Sequence, residues 1–214
     1  KGVDQEMVSR TRAWLKSRRD GKGGYLRSDK SADSFGRATP EVTNAYITWA
    51  LAEAGEKDMD AELDHVAALA KSSADTYILA LATGALAAAR PGTEATTEAV
   101  KKLAAKQSKD GDFPGAAESI TQSGGIALSI ETTALAALSL LRAGADQKAA
   151  VGRAVKWIEE QRQGSGSFGS TQATVLALRA LTKSSEGGSV PDGTITVTVN
   201  GHAFPLKLDP KNTD

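Results

Sequence analysis

The sequence predicts an all-α fold, a partial α/α toroid of antiparallel helical hairpins, followed by a short β-hairpin. Three observations predict it. Amphipathic segments alternate with segments that are apolar on nearly all sides, which is typical of an outer and an inner layer of helices. A Gly-rich turn carrying one aromatic residue recurs three times, as in a helical repeat. After residue 184 the hydrophobic period changes from helical spacing to strict alternation.

We expect four outer helices, each with a single apolar stripe at i, i+3, i+4 and i+7 spacing, because such a stripe marks one buried face. The stripes contain, in chain order, Met7, Thr11, Trp14 and Leu15; Leu63, Val66, Ala67 and Ala70; Ala99, Val100, Leu103 and Ala104; and Val151, Ala154, Val155 and Ile158.

Four inner helices are predicted at about 40–54, 74–89, 130–143 and 170–182, where apolar residues occur on all sides. Thr39 is a candidate N-cap with Pro40 at the first helical position, and Ser170 stands in the same place before the last helix. The segment 108–129 is predicted to be a loop or short hairpin, since it contains Pro114 and a Gly-Gly pair.

The turns at 19–25, 109–113 and 163–169 each end an outer helix with glycine, which tolerates positive φ. Eight helices make about four of the six hairpins of a closed ring, so roughly two hairpins are expected on the N-terminal side of Lys1. The predicted domains are a partial toroid at 1–184, a linker at 185–193 and the first strands of another module at 194–214.

The C-terminal segment has the pattern of a β-hairpin. Ile195, Val197 and Val199 alternate with threonines, and Asn200-Gly201 favours a type I′ turn. The alternation continues through Phe204, Leu206 and Leu208. Because an isolated hairpin is marginally stable in water, we expect its partner strands to lie outside this chain or in a neighbouring molecule.

Composition excludes several classes of function. The 26 basic and 26 acidic residues cancel, which disfavours nucleic-acid binding. No apolar run reaches the roughly 20 residues that a membrane span needs. The chain has no Cys, and its two histidines, His65 and His202, have no ligand-spaced partners, so we expect no thiol nucleophile, metal or cofactor.

Four segments carry a family resemblance: WIEEQR followed by SGSFGSTQATVLALRAL, VTNAYITWAL, SITQSGGIALSIETTALAALSLLRAG, and the opening WLKSRRDGKGGYLRSDKSADSFGRATPE. Together they cover nearly the whole chain, and the Gly-aromatic-Gly-Ser-Thr-Gln run is the most distinctive part. The sequence resembles the C-terminal part of the thioester domain of alpha-2-macroglobulins and complement thioester proteins, with the opening segment similar to bacterial members.

The resemblance implies a terpenoid-cyclase-like toroid within a bacterial protease-trapping inhibitor, with no catalytic residues of its own. A Gly-Cys-x-Glu-Gln-type motif would form an internal thioester, and that motif is absent from this sequence. Target proteases, the adjoining β-sandwich and macroglobulin-like domains are the implied partners, and the periplasm, cell envelope or exterior is the implied location. Family members that prefer hydroxyl acceptors use a His on a loop for the acyl transfer. A loose alignment places Asp33 or Ser34 at that position, and an Asp there would imply direct reaction with amines.

Two other interpretations stay open. A toroid enzyme, such as a lyase or terpene cyclase, would need clustered acids and an aromatic cavity; the acid-rich segment 58–64 and the aromatics Tyr46, Trp49 and Tyr77 are the candidates. A thioester-less scaffold of the same family is the second. Glu41, Glu131 and Gln172 are expected in the first turns of inner helices at one end of the ring, either as a binding rim or as groups that tie neighbouring loops.

Overall fold

A computed structural model of the protein describes residues 4–27, 38–164, 166–186, 193–199 and 202–208. The helices are α1 (Gln5–Ser17), α2 (Pro40–Glu53), α3 (Asp60–Ser72), α4 (Thr76–Ala89), α5 (Glu94–Ala104), α6 (Gly125–Ala143), α7 (Lys148–Glu160) and α8 (Thr171–Glu186). A 3-10 turn, Ala145–Gln147, precedes α7. The strands are β1 (Gly193–Val199) and β2 (His202–Leu208).

Up to residue 186 the described chain is all-helical, as predicted, and its helices form two layers. The inner helices α2, α4, α6 and α8 pack side by side in that order, and α3, α5 and α7 pack on the outside of this row. Helix α4 is buried along nearly its whole length, whereas α3, α5 and α7 each bury one stripe. The alternation of wholly apolar and amphipathic segments therefore corresponds to these two layers.

The inner row curves so far that side chains of its first and last helices meet. Gln172 on α8 donates from Nε2 to the Tyr46 hydroxyl on α2 over 3.1 Å. Further along the same two helices, Arg179 donates to Glu53, and its guanidinium carbon lies 5.4 Å from the centroid of the Trp49 ring. These contacts join the first and last helices of the inner row.

The predicted start of the third inner helix is wrong by five residues. Helix α6 begins at Gly125 rather than near residue 130, because the Gly-Gly pair caps the helix instead of lying within a loop. The preceding loop lies over the start of α4: Thr76 donates from Oγ1 to the Pro114 carbonyl over 2.5 Å, and the Ala117 amide donates to Asp75 over 2.8 Å.

Among the described helices, α6 alone has the length and mean hydropathy that a membrane crossing requires. Most of this helix is buried inside the protein, where it packs against α4, α7 and α8. Its apolar character is therefore that of a central core helix.

The three Gly-rich turns have the same hydrogen-bond pattern. The amides of Asp20, Ser108 and Gln163 donate to the carbonyl four residues later, over 3.0, 2.9 and 2.9 Å. The aromatic residue that ends each turn, Tyr25, Phe113 or Phe168, is buried. Its amide donates to a side-chain oxygen of the following inner helix, which belongs to Asn44, Thr133 or Thr174. Each turn is thereby fixed to an inner helix, and the predicted repeat is confirmed at atomic detail.

The stripe predicted for α1 is only partly correct, since Leu15 is the one member that packs against the core. No residue of α1 is buried, and Met7 and Trp14 are 49% and 63% exposed. Ion pairs also hold the helix: Glu56, in the connection after α2, pairs with Arg12 over 3.2 Å and with Lys16 over 3.1 Å. Amphipathic spacing alone could not show that little of the chain packs against this helix.

Strands β1 and β2 pair antiparallel, with Ile195 opposite Leu206 and Val197 opposite Phe204. His202, which follows the predicted Asn200-Gly201 turn, is the first residue of β2. The Asn200-Gly201 turn lies outside the described residues, as does most of the predicted linker. The division into domains stays a prediction.

Candidate functional site

Each inner helix contributes one polar side chain to a common centre near the helix N-termini. These are Tyr46 from α2, Tyr77 from α4, Glu131 from α6 and Gln172 from α8. The Tyr46 hydroxyl accepts from Gln172, and the Tyr77 hydroxyl accepts from the Ile120 amide over 3.3 Å. Burial raises the pKa of both phenols, and the charge of Glu131 adds to both shifts. The phenols therefore stay protonated at neutral pH.

Glu131 is fully buried and accepts three hydroxyl hydrogen bonds at one oxygen. Ser123 and Ser170 donate to Oε1 over 2.6 and 3.1 Å, and Thr121 donates over 3.5 Å. These three residues lie in the connections that lead into α6 and α8. The other carboxylate oxygen, Oε2, is buried and has no hydrogen-bond partner among the described residues. Leaving a buried carboxylate oxygen without a hydrogen-bond partner is energetically costly.

The expected gathering of Glu41, Glu131 and Gln172 is only partly correct. Glu131 and Gln172 belong to one centre, but Glu41 is exposed at the start of α2. Glu131 stands in the second turn of α6, since that helix begins earlier than predicted. The three hydroxyl hydrogen bonds of Glu131 join the loops that precede α6 and α8, as expected if these polar residues tie neighbouring loops rather than form a binding rim. The predicted cap at Ser170 is confirmed, because its hydroxyl accepts from the Ala173 amide over 3.0 Å; its bond to Glu131 was not predicted.

A cavity of about 430 Å³ opens toward the other end of the inner helices. Trp49, Glu53 and Arg179 line it together with Arg142 from α6. Glu53 accepts from Arg142 over 2.7 Å and from Arg179, so one carboxylate lies between two guanidinium groups. Cations are favoured here, since the C-terminal ends of helices carry partial negative charge. This arrangement joins the inner helices α2, α6 and α8. Because Glu53 is paired with both arginines, its carboxylate is not free to act as an acid catalyst.

The acid-rich segment 58–64 binds arginines of neighbouring elements. Asp60 and Asp64 pair with Arg90 at the end of α4, over 2.9 and 2.5 Å. Asp58 and Glu62 pair with Arg19 of the first turn, over 3.1 and 2.8 Å. The segment thus joins α3 to its neighbours, and it lies apart from the cavity described above.

Nothing in the described part of the chain forms a metal centre: no group of three or more His, Asp or Glu residues there could hold an ion. His65 is half-buried on α3 beside Gly23. Asp33, the candidate residue of the acyl-transfer loop, lies outside the described residues, and so does Ser34.

The fold and its polar centre can be set beside a known family. The family model described as the A-macroglobulin TED domain matches residues 1–184, which include all eight helices up to the last turn of α8. The chain belongs to this family. The match covers the all-helical part and ends before β1. TED domains of the macroglobulin family are generally parts of protease inhibitors rather than catalysts.

Proposed function

We propose that this TED domain is part of a bacterial alpha-2-macroglobulin-like inhibitor that traps endopeptidases. The observation that carries the proposal is the family match over residues 1–184. In the proposal the helices form about four of the six hairpins of a toroid. The toroid frames and shields an internal thioester, and the Cys and Gln that form it come from residues outside this chain, which contains no Cys.

The proposed chemistry is transfer of an acyl group from sulfur to nitrogen. A target protease cleaves a bait region elsewhere in the inhibitor, and the TED domain moves so that the thioester is exposed. A lysine amine of the protease attacks the thioester carbonyl, an amide bond forms, and the cysteine leaves as a thiolate. The proton released by the amine ends on solvent or on the thiolate. The protease is then covalently bound to the inhibitor.

In this scheme the chain's own residues hold the frame rigid. Tyr46, Glu131 and Gln172 fix the ends of three inner helices at the polar centre, and Glu53 with its two arginines fixes the opposite end. A rigid frame limits the access of water and small amines to a thioester before cleavage. Asp33 stays a candidate for the acyl-transfer loop, where an acid in place of a His favours amine acceptors.

The remaining parts of the proposal follow from the same family. Residues 194–214 would be the first returning strands of a β-sandwich module, with 185–193 as the linker. Other macroglobulin-like domains and the target protease are the proposed partners, and the periplasm or the outer cell envelope is the proposed location. The cavity near Trp49 does not favour a toroid lyase or cyclase, because the Glu53 carboxylate that lines it is already paired with Arg142 and Arg179.

The test is a thiol titration of the full-length protein that carries this domain, with and without methylamine. One additional thiol per chain after methylamine supports a thioester and a covalent trap. No release contradicts the thioester and leaves the thioester-less scaffold. Covalent capture of a protease, seen as a reduction-resistant adduct on a denaturing gel, tests the trap directly.

A further inference from the structure

Two neighbouring cavities lie at the end of the domain where the inner helices terminate. The first is the cavity near Trp49, whose volume of about 430 Å³ is within the roughly 300–1,000 Å³ of ligand pockets. The second, of about 250 Å³, lies beside the connection after α4, and Lys101 of α5 lines it. Arg142, near the C-terminal end of α6, lines both cavities. We therefore describe them as one surface, the Arg142 groove.

Hydrogen-bond donors are in excess at the Trp49 end of the groove. Glu53 uses one carboxylate oxygen for Arg142 and the other for Arg179, and each arginine contributes only its Nη2. The other N–H groups of both guanidinium forks have no hydrogen-bond partner among the described residues. The Trp49 indole N–H also donates to no described residue, and Gly84 has no side chain to cover it, since a Cβ there would lie 3.0 Å from Nε1. A ligand that supplies acceptors is therefore favoured in this cavity.

The two arginines are more exposed than the carboxylate that they share. The side chains of Arg142 and Arg179 are 43% and 39% exposed, whereas that of Glu53 is 17% exposed. The surface that meets solvent is therefore cationic, and the compensating anion lies beneath it. Because a guanidinium has five N–H donors in a planar fork, each arginine can bind a second carboxylate without releasing Glu53.

Further cations lie toward both ends of the groove. Lys183 lines the Trp49 cavity and pairs with Glu186 in an exposed i,i+3 contact, a kind of contact that contributes little to stability. Lys101 lines the second cavity and forms no ion pair with a described residue, although the acidic Asp146 lines the same cavity. Both lysines are therefore available to additional carboxylates of a bound segment.

The shape of the groove favours an extended segment over a helix. Leu138 and Leu141 line the Trp49 cavity together with Arg142, which provides an apolar space for one side chain beside a cation. A helix about 10–12 Å across is too wide for the second cavity of about 250 Å³. An extended segment is narrower, and its successive side chains point to opposite sides, so alternate residues can contact the groove.

We propose that the Arg142 groove binds an extended acidic segment of a partner protein. Carboxylates of that segment pair with Arg142 and Arg179, and an adjacent apolar side chain enters the cavity beside Trp49. Lys101 and Lys183 pair with carboxylates on either side of these contacts. The binding is noncovalent and takes place at the opposite end of the inner helices from the polar centre, so it does not depend on a thioester.

The probe is a fluorescein-labelled peptide of seven residues, with one central leucine and three glutamates on each side. Fluorescence anisotropy with the 214-residue chain is expected to show saturable binding that weakens as salt rises, because the contacts are ionic. The same peptide with lysines in place of the glutamates should not bind, and one with alanine in place of the leucine should bind several-fold more weakly. Of the three tryptophan indole N–H signals in an NMR spectrum, only that of Trp49 should shift on binding.

Substitutions of single cations locate the binding. Lys101→Gln leaves the pairs of Glu53 intact and should weaken binding about two- to fivefold. The matched control is Lys71→Gln, since Lys71 is exposed at the end of α3 and lines neither cavity, and the affinity should not change. Arg142→Gln should weaken binding about tenfold or more, and Arg142→Lys should restore only part of the loss, because a lysine lacks the planar fork. Thermal denaturation checks that each variant is folded at the temperature of the assay.

Absence of binding, equal binding of the lysine peptide, or an unchanged affinity in both Lys101→Gln and Arg142→Gln would overturn the proposal. Competition by inorganic phosphate at the concentration of the peptide also contradicts it, because the groove would then be a site for a small anion. Self-association that Arg142→Gln abolishes would make a second copy the occupant. Binding by the 214-residue chain that is lost in the full-length protein would mean that an adjoining domain covers the groove. None of these results depends on thiol release, so a failed thioester and a failed groove remain distinguishable.

Discussion

Tyr46 and Gln172 lie 126 positions apart in the sequence and are joined by a 3.1 Å hydrogen bond from the amide Nε2 to the phenol oxygen. The bond connects the first inner helix of the row to the last. It forms only if the two intervening inner helices have the packing that brings these ends together. The presence of this bond therefore depends on the curvature of the whole row of inner helices.

Tyr46→Phe is expected to destabilise the domain by about 1 kcal/mol, since it removes the acceptor of a partly buried hydrogen bond and leaves the apolar ring in place. Urea denaturation measures the change in the free energy of unfolding. Gln172→Leu should give a similar loss, and the double variant should lose less than the sum. Fully additive losses would contradict a direct interaction between these two side chains.

Glu131→Ala is expected to cost about 2–3 kcal/mol, because Ser123 and Ser170 lose a charged acceptor in a buried place. Glu131→Gln should stay within about 1 kcal/mol of the original protein, since the amide oxygen still accepts from the serines and the amide nitrogen replaces the unpartnered Oε2. Chemical denaturation at neutral pH compares the two. The exposed Glu41→Ala, expected to change stability by less than about 0.5 kcal/mol, is the control.

The attachment of α1 is expected to weaken in acid. Hydrogen bonds from Lys16 first, and also from the Lys57 amide and Arg12, lower the pKa of Glu56 from 4.5 to about 2. A carboxylate with a lowered pKa contributes stability that is complete above its unfolded pKa and is lost as pH falls through the folded value. The contribution of Glu56 should therefore be full at pH 6 and decline between about pH 4.5 and 2.

Proteolysis of α1 measures this attachment without unfolding the domain. At pH 6 Glu56→Gln should be cut within residues 5–17 faster than the original chain, and an acid-active protease near pH 2 should cut both equally. A difference between the two proteins that persists unchanged at pH 2 would contradict the assignment to Glu56.

Gly84→Ala is expected to destabilise the domain by about 1–3 kcal/mol, although alanine is normally the better helix former. A Cβ at residue 84 would lie 2.7 Å from Ser139 Oγ and 2.9 Å from Trp49 Cδ1, so α2 and α6 would have to move away from α4. Thermal denaturation measures the change. The matched control is Gly152→Ala in α7, where nothing lies within 4 Å and a gain of about 1 kcal/mol is expected.

Hydrophobic spacing predicted the two layers because burial dominates both the sequence pattern and the fold. Helices α3, α5 and α7 bury the stripes that the spacing indicates, and α4 is buried throughout. The same spacing was only partly correct for α1, where Leu15 packs against the core, Met7 and Trp14 are exposed, and ion pairs with Glu56 add to the attachment. Hydrophobic spacing predicts that a segment forms an amphipathic helix. Whether the apolar face of that helix is buried depends on the elements that pack against it.

The polar centre could be predicted only in part. Glu131 and Gln172 attract attention as polar residues in apolar segments, and a helical ring brings such residues together. The serine ligands of Glu131 could not be foreseen, because Ser123 and Ser170 lie 47 positions apart by sequence number and reach the carboxylate only after two loops have folded. Nor does the sequence indicate that Asn44, Thr133 and Thr174 accept from the aromatic residues of the turns.

The three turns are fixed to inner helices at one end of the domain, whereas the connection between α6 and α7 is not fixed in this way. Residues 142–146 are exposed, and Gly144 has a φ of 119°. New chain termini placed between Gly144 and Ala145 would leave every turn and every inner helix intact. The domain should accept a circular permutation or an inserted reporter protein at this place, and it should resist both within the turns that end in Tyr25, Phe113 and Phe168.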